Sequence, residues 1–144
     1  MSTELIIYVL TALAAVVVVL TRLRLGRSEG ARRIDVGRRL LGVHTLFGVV
    51  ALVTWLLFLF GEGPLGKDTR SLIGIVALGC WWVVVGAGLL ILVRWLPTHG
   101  KHAAEATQDS WSEGPGLSIL AHVGMLVGVI VFTWAYLDPD RFPL

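Results

Sequence analysis

Leu40 to Phe60 is a run of 21 residues without a single Asp, Glu, Lys or Arg. An α-helix needs about 20 mostly apolar residues to cross a hydrocarbon core of about 30 Å, so this one run can span a bilayer. The same condition recurs along the chain. Charge is cleared out of four segments and crowded between them, with spans placed at 5–21, 40–60, 71–95 and 117–137. A soluble domain of 144 residues would interleave its charges with its apolar positions; here 56% of residues are hydrophobic and they come in blocks. In lipid every backbone group must bond inside the protein, and continuous apolar runs rather than two-residue alternation select helices over a barrel. The expected fold class is therefore an all-α membrane protein of four transmembrane helices, one domain over 1–144. It is arranged as an up-down bundle or as two tandem helical hairpins.

Met1 to Glu4 carries no positive cluster of the kind that opens a secretory signal, so Leu5 to Thr21 is expected to stay as the first span. The segment between the first two spans holds Arg22, Arg24, Arg27, Arg32, Arg33, Arg38 and Arg39 against Glu29 and Asp35. Three glycines make it a loop or a broken surface helix. With Arg94 and Lys101 on the same side, and only Lys67, Arg70 and Arg141 on the other, the positive-inside rule puts this segment in the cytoplasm and both termini outside. Arg32, Arg33, Arg38 and Arg39 are also candidates for contact with anionic lipid head groups or an acidic partner, since each basic residue near such a surface contributes about 1 kcal/mol. No aromatic platform accompanies the charge, so nucleic acid is not an expected ligand.

Gly61 to Arg70 reads as a turn-rich connector. The third span closes at Arg94-Trp95-Leu96-Pro97, with Trp95 suited to a head-group belt. Trp81 and Trp82 fall near its middle, where belt logic does not apply, and are expected to pack on a neighbouring helix or a partner protein. Gly79, Gly86 and Gly88 thin this helix for close backbone approach. In the polar segment that follows, His99, His102 and Glu105 have a spacing like that of metal ligands, but Pro97 and Gly100 argue against one helix holding all three, and a solvated loop is expected. Cys80 lies inside a span and has no partner for an intrachain disulfide. There is no Ser-His-Asp constellation, phosphate loop or CxxC pair, so neither a catalytic residue nor a metal site is assigned, and an enzyme acting alone is not expected.

Two histidines stand inside the apolar runs. His44 lies about one turn into the second span and His122 close to the start of the fourth. Each is followed by glycine (Gly48; Gly124 and Gly128), an aliphatic stretch, and Thr-Trp. The first helix of each half also ends in an aliphatic run leading to Arg, Arg22 and Arg94. If this weak repeat is real, its axis lies along the membrane normal and both histidines sit at one depth. The alignment needs a one-residue shift between His and Trp. Three readings stay open. The rings are structural, each donating to a carbonyl or hydroxyl; or they are the two axial ligands of a b-type haem, which requires imidazoles on facing helices at one depth; or they handle protons in a small transporter, although no Asp or Glu lies within a span.

Ten Arg against two Lys, the absence of Asn, and the abundance of Val, Ala, Gly and Leu suggest a GC-rich bacterial genome, hence a multi-pass protein of a bacterial plasma membrane. In its size, its four spans and this residue bias the chain resembles the small non-catalytic membrane subunits of actinobacterial respiratory bcc–aa3 oxidase supercomplexes. The likeness is one of general character. It implies a supporting role beside an oxidase core that carries its own haem and copper, with other membrane subunits and anionic lipids as partners and no cofactor of its own. The alternative is a bis-histidine b-type cytochrome subunit exchanging electrons with quinone.

Overall fold

The computed structural model describes residues 3–27, 38–61, 66–100 and 115–139. They form four helices: α1 (Thr3–Arg27), α2 (Arg38–Phe60), α3 (Lys67–Gly100) and α4 (Pro115–Leu137). Each contains a stretch long and apolar enough to cross a membrane: Thr3–Leu23, Arg39–Phe60, Lys67–Arg94 and Ser118–Leu137. This is the architecture of a multi-pass membrane protein.

Every helix is longer than its apolar run. The helix of α1 continues through Arg22 to Arg27, into the segment expected as loop or broken helix. The start of α3 is Lys67, four residues inside the expected connector, with Asp68 in the first turn where the helix dipole favours an acid. Its other end passes Pro97 and reaches Gly100. Proline removes one intrahelical bond at its own nitrogen but leaves the rest of the ladder intact. His99 therefore lies in the last turn of α3, while His102 and Glu105 fall outside the described residues.

The helices pack as a ring in which α1 touches α2 and α4, and α3 touches α2 and α4. The most extensive contact is between α2 and α3, so the main packing joins the two sequence halves. Helices α2 and α4 face each other across the diagonal. The core is apolar, with Ile7, Ala14, Ala51, Trp55, Ala77, Trp81, Val129 and Phe132 at or near zero exposure. One half of the bundle is filled by aromatic rings: Trp55 on Phe132 (4.7 Å between centroids), Trp81 on Phe132 (5.9 Å) and Phe58 on Tyr136 (5.5 Å). Offset and tilted pairs of this kind add about 0.5–1.5 kcal/mol each beyond their buried area.

Polar groups inside the spans are mostly satisfied by their own helix. The hydroxyls of Thr11, Thr45, Thr54 and Thr133 each donate to the carbonyl four residues back. Arg70 in the first turn of α3 donates its Nε to the carbonyl of Phe58 at 2.7 Å and lies over the Phe58 ring, which supplies a cation to the carboxyl end of α2. The expected connector residue is thus a helix cap.

Candidate functional site

The two intramembrane histidines meet. His44 comes from the second turn of α2 and His122 from the second turn of α4, and their ring centroids lie 6.4 Å apart with planes tilted by 44°. They meet from helices that lie across the bundle from one another. His44 is 1% exposed. His122 is partly buried.

The third wall is Gly88 of α3. A Cβ built there would stand 2.8 Å from His122 Cδ2, 3.3 Å from His122 Nε2 and 3.4 Å from His44 Nε2. Both Nε2 atoms thus converge on one notch that only glycine leaves open. Of the three glycines read as thinning α3, Gly88 alone serves this approach; Gly79 and Gly86 have nothing within 4 Å of the corresponding position. The fourth wall is α1. A Cβ built on Gly48 would stand 2.8 Å from Val18 Cγ1, and Gly48 is one turn beyond His44, so antiparallel α1 carries buried Thr21 toward the level of the pair.

The hydrogen bonding of the two rings differs. His122 Nδ1 is 2.7 Å from the carbonyl oxygen of Ser118, four residues back on its own helix. A carbonyl only accepts, so the Nδ1 proton is fixed and Nε2 is left with its lone pair. That Nε2 is buried and has no hydrogen-bond partner, and neither has Nδ1 of His44. An unmade bond at a buried polar atom costs about 1–3 kcal/mol. Two of these four ring nitrogens are thus without a hydrogen bond, as is the indole N–H of core Trp81, whereas the hydroxyls of Thr11, Thr45, Thr54 and Thr133 are satisfied.

The remaining candidates are placed as follows. Arg38 and Arg39 open α2 at the same end of the bundle as His44, and Arg39 is exposed. Arg32 and Arg33 lie outside the described residues. Trp81 is wholly buried against Phe132, which takes it off any partner-facing surface. Trp82 faces outward at 44% exposure and donates its indole N–H to the hydroxyl of Thr133 at 3.2 Å. Cys80 is buried. Among the described residues no group of three or more His, Cys, Asp or Glu gathers into a metal cage.

Gly88 and the Ser118 carbonyl are the members that sequence reading did not attach to the site. The glycine was visible as a thin place on α3, but which of three glycines faced the histidines depends on helix rotation. A backbone carbonyl leaves no trace in the sequence at all.

Among the described residues the fold and the site define a multi-pass bundle of four helices with paired imidazoles buried near one end. Comparison with known protein families, with curated proteins and with solved structures gives no match.

Proposed function

We propose that this protein is a membrane-embedded b-type cytochrome subunit in which His44 and His122 are the axial ligands of one haem. A single observation carries the reading. Two imidazoles bound on opposite sides of one metal, each through a bond of about 2 Å, hold their ring centroids roughly 6 Å apart; these rings stand at 6.4 Å, on facing helices, around a glycine notch. His44 and His122 would hold the group, which would supply one-electron redox chemistry.

The chain's part is to bind, orient and exclude water. Ser118 sets the tautomer of His122. Gly88, having no side chain, lets the α3 backbone pack against the edges of both rings. Seating a flat macrocycle requires the α3 backbone to draw back at this level, and the opposite side of α3 bears Val83, Gly86 and Leu90, a face left exposed by the described residues. Arg39, exposed and just ahead of His44 on α2, would offer positive charge for the carboxylates of the group.

One site near one end leaves most of a core of about 30 Å uncrossed, so electrons must be exchanged at that face with quinone or with a neighbouring subunit. This favours a place within a larger membrane complex over a free-standing carrier, and keeps the accessory-subunit reading as the second proposal.

The test is a visible spectrum of the purified chain, oxidised and then dithionite-reduced. Sharp reduced α and β bands, absent from the His44→Ala/His122→Ala double variant, are the expected result. A spectrum without a Soret band, from well-folded protein expressed with haem available, overturns the cytochrome reading and returns the histidines to a structural role.

A further inference from the structure

We propose that the outer groove between α1 and α2 binds one anionic phospholipid, with its phosphate on Arg22 and an acyl chain laid along the groove as far as the stacked rings of Tyr8 and Phe60. The site lies on the outside of the bundle and uses neither histidine, so it stands with or without a haem.

Three contacts set the register of these antiparallel helices. A Cβ built on Gly48 would stand 2.8 Å from Val18 Cγ1, Trp55 donates to Thr11 at 3.1 Å, and the rings of Tyr8 and Phe60 stack with centroids 5.6 Å apart. Arg22, one turn beyond Val18 on α1, is therefore level with His44, one turn before Gly48 on α2. At about 100° per residue Arg22 falls on the side of α1 that Tyr8 takes toward α2, while Leu10 on the other side approaches Gly128 of α4. Its side chain is exposed. From Leu40 onward α2 carries no charged residue before Phe60, so Arg22 stands at least one turn inside the apolar run of its neighbour. A long cationic side chain at that depth reaches for head groups or meets an anion. Among the described residues the acids Glu4, Asp68 and Asp138 all belong to the opposite end of the bundle. The basic excess is also local to this helix pair. Residues 22–39, which join α1 to α2, include seven Arg against two acids; residues 94–113, between α3 and α4, include Arg94 and Lys101 against Glu105, Asp109 and Glu113.

The groove that leads away from Arg22 is apolar and open. Val19 on α1 and Val49 and Leu56 on α2 are each more than 40% exposed. Val49 and Leu56 are two turns apart on the side of α2 that continues to Phe60. The path from Arg22 to Tyr8 is about 21 Å at 1.5 Å per residue. One leaflet of a core of about 30 Å is roughly 15 Å deep, so an acyl chain fits before the Tyr8–Phe60 stack closes the groove. At the other end Gly42 is exposed and has nothing within 4 Å of the place a Cβ would take, which leaves room for a head group beside Arg22. A guanidinium meets a phosphate through two parallel N–H···O bonds. A soluble phosphate would use the guanidinium alone; a phospholipid uses the guanidinium and the groove together.

Native mass spectrometry counts the bound lipid. The chain, purified in mild detergent, is equilibrated with equal amounts of phosphatidylglycerol and phosphatidylcholine of the same acyl chains, and the retained lipids are identified. One phosphatidylglycerol per chain is expected, favoured about 5-fold or more over phosphatidylcholine, the factor that one basic residue at an anionic head group supplies. Arg22→Gln should lose this preference. Arg94→Gln, at an exposed arginine on α3 at the same end, should keep it. Val49→Trp leaves the charge in place and fills the groove, and should lower the retention of phosphatidylglycerol. Equal retention of the two lipids, or an Arg22→Gln chain that still prefers phosphatidylglycerol, overturns the proposal. An equal loss in Arg94→Gln overturns it in favour of a diffuse field, and full retention in Val49→Trp in favour of a phosphate site without an acyl bed. All three substituted side chains are exposed, and circular dichroism confirms that the variants fold.

Discussion

The indole N–H of Trp55 on α2 donates to the hydroxyl of Thr11 on α1 at 3.1 Å, and that hydroxyl donates in turn to the carbonyl of Ile7. Both side chains are buried, so this is a polar clasp between two helices inside the apolar core. Thr11→Val keeps the shape and removes the acceptor, leaving the Trp55 N–H unpaired. We expect a loss of about 1–2 kcal/mol, above the roughly 0.6 kcal/mol average for interhelical bonds in membranes, because the donor cannot reach water. Unfolding titrations in mixed detergent micelles measure it; a change indistinguishable from wild type would show that Trp55 finds another partner.

Gly48 sets how closely α1 approaches. A methyl group there would meet Val18 Cγ1 at 2.8 Å and Cγ2 at 3.0 Å, and valine in a helix has little freedom to turn away. Gly48→Ala should destabilise by about 1–3 kcal/mol as an overpacked contact does. Adding Val18→Ala should recover part of that loss, and a double-mutant cycle gives the coupling between the two positions. Strictly additive effects would mean that the helices do not meet here.

Gly88 and Gly86 form a matched pair on one helix. Gly88→Ala puts a methyl 2.8 Å from the His122 ring, while Gly86→Ala meets nothing within 4 Å. We expect Gly88→Ala to lower the haem-to-protein ratio by about 10-fold, as loss of support at a metal site does, and Gly86→Ala to leave it unchanged. Pyridine haemochrome assay of both variants decides. Equal ratios would separate Gly88 from the site.

Trp81 and Trp82 are neighbours in sequence with opposite surroundings, one wholly buried and one 44% exposed. Trp81→Ala should cost about 3–5 kcal/mol through the cavity left beside Phe132. Trp82→Ala loses one bond to Thr133 on an exposed face and should cost under about 1 kcal/mol. If Trp82 instead carries the contact to another subunit, its alanine variant will migrate as a smaller particle in native sizing after mild detergent extraction, with stability unchanged.

The histidine–tryptophan spacing shows how far a sequence repeat reaches. His44 is eleven residues before Trp55, and His122 twelve before Trp134. One residue turns a helix by about 100°, so when both histidines face inward the two tryptophans cannot share a direction. Trp55 is fully buried and Trp134 is 47% exposed. In the sequence this is legible only as a one-residue shift, whose meaning depends on which face of each helix is turned in.

By itself the sequence determined that four helices would be long and apolar enough to cross a membrane, and that two ionisable rings would stand at matching places on the second and fourth. Length and the exclusion of charge decide that, because lipid admits no unpaired backbone and tolerates few ions. The tertiary structure alone decided which side of each helix faces the bundle. In lipid both sides are apolar, so the pattern that marks an inner face in a soluble helix is missing. Hence only the packed chain separates Trp81 from Trp82, selects Gly88 over Gly79 and Gly86, and gives His122 a carbonyl partner that His44 lacks.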